Sequence, residues 1–360
     1  MNDAPPPPCD SPGELTPDWL TRALRSAGAD VEVVATTWER VGTGQMGTSY
    51  RLRLDHAEAE AAQRSGAPGT LIAKMGAGPL ESRGVIANGY RAEVGFYREL
   101  AGSVSVSTPR CWYAGITDDS TRFTLLLEDL APAVPGRQVD GLTATQAEMA
   151  VVNLAGLHGP VWGDPSLHEL GWLQHHTAES AAFTGEILAG AIPTFLERFE
   201  PRMGPVDPDT LRRVPEHVEA WLMARPERFS LLHGDYRPDN LMFLPDDAGV
   251  SALDWQTLSV GLPGRDVGYL LATSLEPDLR RAEQRRLVEA YRAALGAHGV
   301  ELTSEECFDD ACIGTLQAPL ITVLGAVYAT DPNPGSDAMF TAMITRAMAA
   351  IRDLDAFSRL

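Results

Sequence analysis

The residues best suited to chemistry lie in one run, His233-Gly234-Asp235-Tyr236-Arg237-Pro238-Asp239-Asn240, with a second acidic residue downstream in Leu253-Asp254-Trp255-Gln256. Given 8 histidines in the chain, the pattern His-x-Asp-x-x-x-x-Asn arises by chance on the order of 0.01 times. Its oxygen-bearing side chains suit phosphoryl transfer. That reaction asks little covalent work of a protein: it needs a cradle and a cation for the phosphates, oxygen ligands for Mg²⁺, and a carboxylate beside the acceptor hydroxyl. Asp235 is the expected catalytic carboxylate, orienting that hydroxyl or taking its proton. Asn240 and Asp254 offer the oxygen ligands that a hard cation prefers. His233 is expected to brace the loop by hydrogen bonding rather than to titrate in the reaction.

The cradle and the cation have candidates upstream. Gly42-x-Gly44-x-x-Gly47 would let backbone amides approach phosphates closely, because glycine carries no Cβ to obstruct them. With 33 glycines, roughly 0.3 such matches are expected by chance, so the setting carries more weight than the letters. A dinucleotide-binding fingerprint opens a helix, whereas Thr48 to Leu54 alternates like a strand, so this loop joins two strands. Of the 29 basic residues only Lys74 is lysine. A position that resists so strong an arginine bias suits a compact ammonium rather than a planar guanidinium. Lys74, in a third strand, is then placed to meet phosphate oxygens, and Glu93 on the next helix is its expected partner, with Glu81 and Glu99 as rivals.

These groups need elements to hold them. Thr16 reads as an N-cap with Pro17 at the first helical position and Gly28 closing the helix. Strand character follows over Val31 to Val41, Thr48 to Leu54 and Thr70 to Met75. Apolar residues at helical spacing run from Asn88 to Leu100, and two further strands, Arg110 to Ile116 and Arg122 to Glu128, meet at Asp118-Asp119. Beyond residue 130 the pattern is helical over Thr143 to His158, Ile187 to Phe199, Asp209 to Ala224, Leu279 to Leu295, Phe308 to Tyr328 and Ala338 to Leu354. Only Phe229 to Asp254, with short strand-and-turn character, interrupts it. The expected fold is therefore α+β and bilobal. An antiparallel sheet lobe with one key helix spans residues 14–130, and a larger, mostly helical lobe spans 131–360, the two sharing a cleft. Residues 1–13, with Pro5 to Pro8 and Pro12-Gly13, read as a disordered tail.

Composition narrows the classes of partner. A chain of 360 residues with 44% apolar content can bury two cores. A formal charge of −20 disfavours nucleic acids and anionic membranes, which need a basic surface. No run of some twenty uncharged apolar residues occurs, and the N-terminus lacks the basic and apolar regions of a signal peptide, so a cytoplasmic location is expected. Cys9, Cys111, Cys307 and Cys312 lack the paired spacings of a zinc site and read as ordinary thiols.

The order of glycine loop, strand lysine, helix glutamate, His-Gly-Asp-x-x-x-x-Asn and Asp-Trp-Gln resembles the aminoglycoside phosphotransferase and choline kinase superfamily, which has a protein kinase-like fold. Within it, Leu231 to Asp235, Asn240 to Phe243, Asp254 to Gln256 and Asp266-Val267-Gly268-Tyr269-Leu270 are similar to the ecdysteroid kinase-like branch. The likeness covers roughly residues 30 to 300. It implies that Asp235 is the catalytic base, that Asn240 and Asp254 are metal ligands and that Lys74 contacts nucleotide phosphates. It further implies that Glu128 to Leu130 form the adenine hinge, and that Asp266 supports the catalytic loop. The implied cofactors are Mg²⁺ and ATP, with GTP as the alternative nucleotide.

Departures from regulated protein kinases bear on the acceptor. Gly234 stands where those enzymes place arginine, Trp255-Gln256 replaces Phe-Gly, and Asp254 and Asp266 are too close for a phosphorylatable loop that also forms a peptide platform. The expected acceptor is thus a small hydroxyl compound of the aminoglycoside, choline or sterol-like alcohol class, not a protein. Trp162, Trp172, His175 and His176 are candidates for lining its pocket, against the plainer reading of tryptophan as core. The competing reading is a non-catalytic nucleotide-binding or scaffold module that has kept the fold.

Overall fold

The computed structural model describes residues 4–42, 47–329 and 333–360. Two compact units emerge, one of residues 1–101 with 108–131 and the other of 102–107 with 132–360.

In the first unit, Thr16 caps α1 (Pro17–Ser26) by accepting from the Trp19 amide, and Pro17 supplies a preset φ. A five-stranded antiparallel sheet follows, built from β1 (Val33–Val41), β2 (Gly47–His56), β3 (Thr70–Gly76), β4 (Cys111–Ile116) and β5 (Phe123–Glu128) in the order β1-β2-β3-β5-β4. A short helix, α2 (Ala59–Arg64), lies between β2 and β3, and α3 (Ala87–Gly95) between β3 and β4. The period of two along β3 decides where its chemistry points. Leu71, Ala73 and Met75 enter a core with Leu20, Leu24 and Leu52. Ile72 faces the opposite side, packed with Tyr90 and Val94 of α3 and with Phe123 and Leu125 of β5. Lys74 therefore emerges on the face that α3 covers.

The expected disordered tail does not hold for residues 4–13. Tyr113 donates its hydroxyl to the Pro6 carbonyl at 2.6 Å, and Trp19 Nε1 donates to the Pro7 carbonyl at 2.8 Å. The Cys9 amide donates to Thr124 Oγ1 at 2.7 Å, and that hydroxyl returns a bond to the Cys9 carbonyl at 2.9 Å. A proline run has few amide donors, but its carbonyls remain strong acceptors, and here they meet aromatic donors from α1 and β4.

The second unit opens with β6 (Val134–Pro135), α4 (Ala144–His158) and β7 (Gln174–His175), then α5 (Ala178–Phe199), α6 (Asp207–Arg213) and α7 (Val218–Leu222). The expected helix over Asp209 to Ala224 is broken into α6 and α7 by a tight turn at Val214–His217, where Pro215 can donate no amide. Short strands β8 (Ser230–Leu232), β9 (Leu241–Phe243), β10 (Val250–Ala252) and β11 (Ser259–Gly261) follow. They recruit β6 and β7 into two three-stranded sheets, β10-β9-β6 and β7-β11-β8, so the strand-rich region reaches beyond Phe229 to Asp254.

The remaining helices are α8 (Gly264–Ser274), α9 (Pro277–Gly296), α10 (Ser304–Gly314), α11 (Gln317–Val327) and α12 (Pro334–Asp353). The single helix expected over Phe308 to Tyr328 is two, α10 and α11. Every residue of α8 is buried. Its Gly264 and Gly268, one turn apart, meet α10 so closely that a Cβ on either, or on Gly314, would run into backbone across the contact.

Candidate active site

Each unit carries one group of the expected site residues. In the first, Lys74 Nζ lies 2.7 Å from Glu93 Oε1, with the lysine side chain 12% exposed and the glutamate 1%. Strand alternation brings Lys74 to the α3 face, and helical spacing puts Glu93 one turn beyond Tyr90 on that same face. Of the three glutamates considered, Glu93 is therefore the partner. Gly47 makes room for this lysine: a Cβ there would stand 3.0 Å from Lys74 Cε. Gly42 is exposed with φ of 73°, a left-handed conformation suited to glycine. Gly44 lies outside the described residues. Glu128 ends β5 and accepts the Arg110 amide at 3.1 Å, and Leu130 is half-buried just beyond it.

In the second unit the loop from His233 to Asn240 is fixed from several directions. Asp266, fully buried on α8, accepts the His233 amide at 2.6 Å on Oδ2 and the Gly234 amide at 2.9 Å on Oδ1. Burial alone would raise its pKa. Bonding and charge from His158, with the nearby His233 and the Gly234 amide, outweigh that and hold Asp266 below the usual carboxylate range. Gly234 has φ of 81°, and a side chain there would strike the Thr257 carbonyl. Gln317 donates Nε2 to the Gly234 carbonyl at 2.9 Å while its Oε1 accepts from Arg265. Tyr236 donates to the Ala150 carbonyl at 3.0 Å, anchoring the loop on α4.

His233 is buried and uses both ring nitrogens within the protein. Nε2 is 2.9 Å from the Leu253 carbonyl and must donate, and Nδ1 accepts the Asp235 amide at 3.3 Å. These bonds select the tautomer protonated at Nε2. The ring thereby ties the loop to the residue preceding Asp254, and the Leu253 amide adds a bond to the Asn240 carbonyl at 2.9 Å. Asp254 itself sits at φ of 66°, a backbone state uncommon for a non-glycine residue and found preferentially at functional sites.

Asp235 is half-buried, and its carboxylate is held by three donors. Arg237 Nε is 3.1 Å from both oxygens, Asn240 Nδ2 is 2.9 Å from Oδ2, and the Tyr269 hydroxyl is 2.6 Å from Oδ1. Asn240 Nδ2 also donates to the Asp235 backbone carbonyl at 2.8 Å. With its nitrogen so occupied, the amide oxygen of Asn240 has no hydrogen bond among the described residues. An amide oxygen of this kind and a carboxylate such as that of Asp254 are of the type Mg²⁺ accepts when waters and substrate phosphates complete its shell. Burial alone would lower the pKa of Arg237. The carboxylates of Asp235 and Asp239 outweigh it, and the guanidinium is held above its ordinary value. Burial, then the neighbouring Asp235 charge, raises the Tyr269 phenol well above its ordinary value.

Tyr269, Gln317, His158 and the bonding of Arg237 were not foreseen from the sequence. Arg237 was visible inside the motif, two positions past Asp235, and Tyr269 stands one helical turn past Asp266. Of the four proposed pocket residues, Trp162, Trp172 and His176 are half-buried and His175 is exposed. None of them bonds to Asp235.

A lysine–glutamate pair on an antiparallel sheet, joined in one chain to a carboxylate–amide loop in a helical unit, defines a kinase-like phosphotransferase. The chain belongs to the phosphotransferase enzyme family, which it matches over residues 27–303. In fold it is similar to the GDP complex of wild-type aminoglycoside 2'-phosphotransferase-IIIa, at 14% identity and a TM-score of 0.55 over 92% of this chain and 98% of that one. It is likewise similar to a choline kinase from Cryptosporidium parvum Iowa II, at 8% identity and a TM-score of 0.54 over 90% and 91% of the two chains. A stretch of 58 residues is 45% identical to acyl-CoA dehydrogenase family member 10 of Mus musculus, spanning 15% of this chain and 5% of that protein. Membership is of the family, and the relatives do not single out the ecdysteroid kinase-like branch.

Proposed function

We propose that the chain uses Mg²⁺ and a nucleoside triphosphate, ATP or GTP, to phosphorylate a hydroxyl group of a small molecule. The observation that carries this reading is the orientation of Asn240: its nitrogen fastens on Asp235, which leaves its oxygen for a cation, with Asp254 as the second ligand of the proposal. One residue thereby links the carboxylate that faces the acceptor to the metal ligands.

In the proposed reaction Asp235 orients the acceptor hydroxyl and takes its proton. The acceptor oxygen bonds to the γ-phosphorus, the bond to the β–γ bridging oxygen breaks, and the nucleoside diphosphate leaves. Lys74, held by Glu93, contacts nucleotide phosphates as a point cation. Bound Mg²⁺, held by Asn240 and Asp254, would neutralise charge developing on the phosphate oxygens. His233 and Asp266 hold the loop and touch no reacting atom. Family membership supports a small-molecule acceptor, as do fold relatives whose names specify an aminoglycoside and choline.

Turnover of Mg-ATP, first with water and then with a panel of hydroxyl compounds including an aminoglycoside, choline and a sterol, tests the reading. Asp235→Ala and Asp254→Ala should each reduce turnover by at least about 100-fold. Equal turnover in the parent and both variants would instead favour a non-catalytic nucleotide-binding module.

A further inference from the structure

The site residues assigned above do not account for Tyr269. It lies on α8, fully buried, one turn beyond Asp266. Asp266 grips the backbone of the catalytic loop through the amides of His233 and Gly234. Tyr269 grips the side chain of the same loop, with its hydroxyl 2.6 Å from Asp235 Oδ1. One helix thus holds the loop at two points three residues apart, and α8 is itself fixed against α10 through Gly264, Gly268 and Gly314.

A carboxylate offers about four acceptor positions. Tyr269 takes one on Oδ1, Asn240 takes one on Oδ2, and Arg237 Nε bridges the pair at 3.1 Å to each. Arg237 shares a single N–H between the two oxygens, so three donors meet about four acceptor positions and capacity for one more donor, an incoming hydroxyl, remains. Arg237 and Asn240 are both on the loop and move with it, whereas Tyr269 alone ties the carboxylate to a helix outside the loop. Its phenol keeps its proton and so remains a donor throughout.

We propose that Tyr269 is a positioning residue of the transfer reaction, its O–H fixing the plane of the Asp235 carboxylate so that one open acceptor direction meets the acceptor hydroxyl. This rests on the reading of Asp235 as the carboxylate that receives that hydroxyl. Tyr269 forms no bond to substrate and exchanges no proton. Its effect is on the geometry of the step, and so on kcat rather than on nucleotide binding.

The test is a double-mutant cycle on the full chain, reading Mg-ATP turnover with water as acceptor. Tyr269→Phe keeps the ring that fills the buried site and removes only the donor. It should lower kcat by about 10- to 100-fold and leave the KM for Mg-ATP unchanged. In an Asp235→Ala background the same substitution should cause no further loss, because the oxygen that accepts its bond is gone. Thr273→Ala removes a bond to the Tyr269 backbone carbonyl from the same helix and should retain parental turnover. An equal loss from Tyr269→Phe in both backgrounds, or a parental kcat in the single variant, overturns the inference. Parental turnover in Asp235→Ala alone would instead overturn the reading of Asp235.

Discussion

Replacing Asp266 with asparagine keeps the side-chain shape and removes one acceptor from the most buried part of the loop's support. Both carboxylate oxygens are in use, Oδ2 on the His233 amide and Oδ1 on the Gly234 amide. Whichever way the new amide turns, its NH₂ faces a backbone N–H, so one hydrogen bond is lost and a buried donor is stranded. A hydrogen bond to a charged group contributes about 1.5–3 kcal/mol, and an unsatisfied buried donor costs about 1–3 kcal/mol. The expected destabilisation is therefore about 3–5 kcal/mol. For a unit of this size that lowers Tm by roughly 10 °C.

The pH dependence follows from the depressed pKa of Asp266. The folded state releases this proton at a lower pH than the unfolded chain does. Its contribution is complete above about pH 4, the unfolded value, and is lost as pH falls through the lower folded value. Asparagine lacks this titration. The gap between parent and Asp266→Asn in thermal melts should be widest near neutrality and close in acid. A variant melting within about 2 °C of the parent at pH 7, or a gap that stays constant down to low pH, would refute the reasoning.

Two further outcomes are expected. Gly47→Ala places a Cβ 3.0 Å from Lys74 Cε. Relieving that overlap by moving the lysine costs about 1 kcal/mol, which should weaken Mg-ATP binding roughly 5-fold by titration calorimetry. A parental Kd with a lowered Tm would mean that the backbone, and not the lysine, gives way. Deleting residues 1–10 removes the bonds to Thr124, Trp19 and Tyr113. At about 1 kcal/mol each their loss should lower the melting temperature by at least about 10 °C, whereas an unchanged melt would show that the segment adds nothing to the fold.

The antiparallel sheet and the helical second unit were legible because their periodicities are local properties of the sequence. Lys74 stood out through composition, and Glu93 as one of three candidate glutamates, among which the structure pairs it with Lys74. Other features depend on partners distant in sequence. Pro5 to Pro8 carries the composition of a disordered tail, yet its carbonyls are fixed by Trp19 and Tyr113, a pairing no local pattern encodes. The helices expected over Asp209 to Ala224 and Phe308 to Tyr328 have continuous apolar periodicity, but a proline breaks the first and close packing on α8 accompanies the interruption of the second. In the second unit, residue types at fixed spacing singled out the loop from His233 to Asn240, but they could not show what surrounds it. Tyr269 reads as one more apolar residue of a buried helix until its hydroxyl is seen on Asp235.

The short connection from Asp254 to Asp266 bears on how that loop is held. In the structure this connection contains β11, which pairs with β7 and β8, and then runs directly into α8. A strand hydrogen-bonded on both sides leaves little freedom to shift the helix that follows it. The glycine contacts with α10 fix the same helix by close backbone packing. Asp266 and Tyr269 are thus set by the fold rather than by a segment that must first be ordered. A loop supported in this way is ordered by the packing of the folded chain itself.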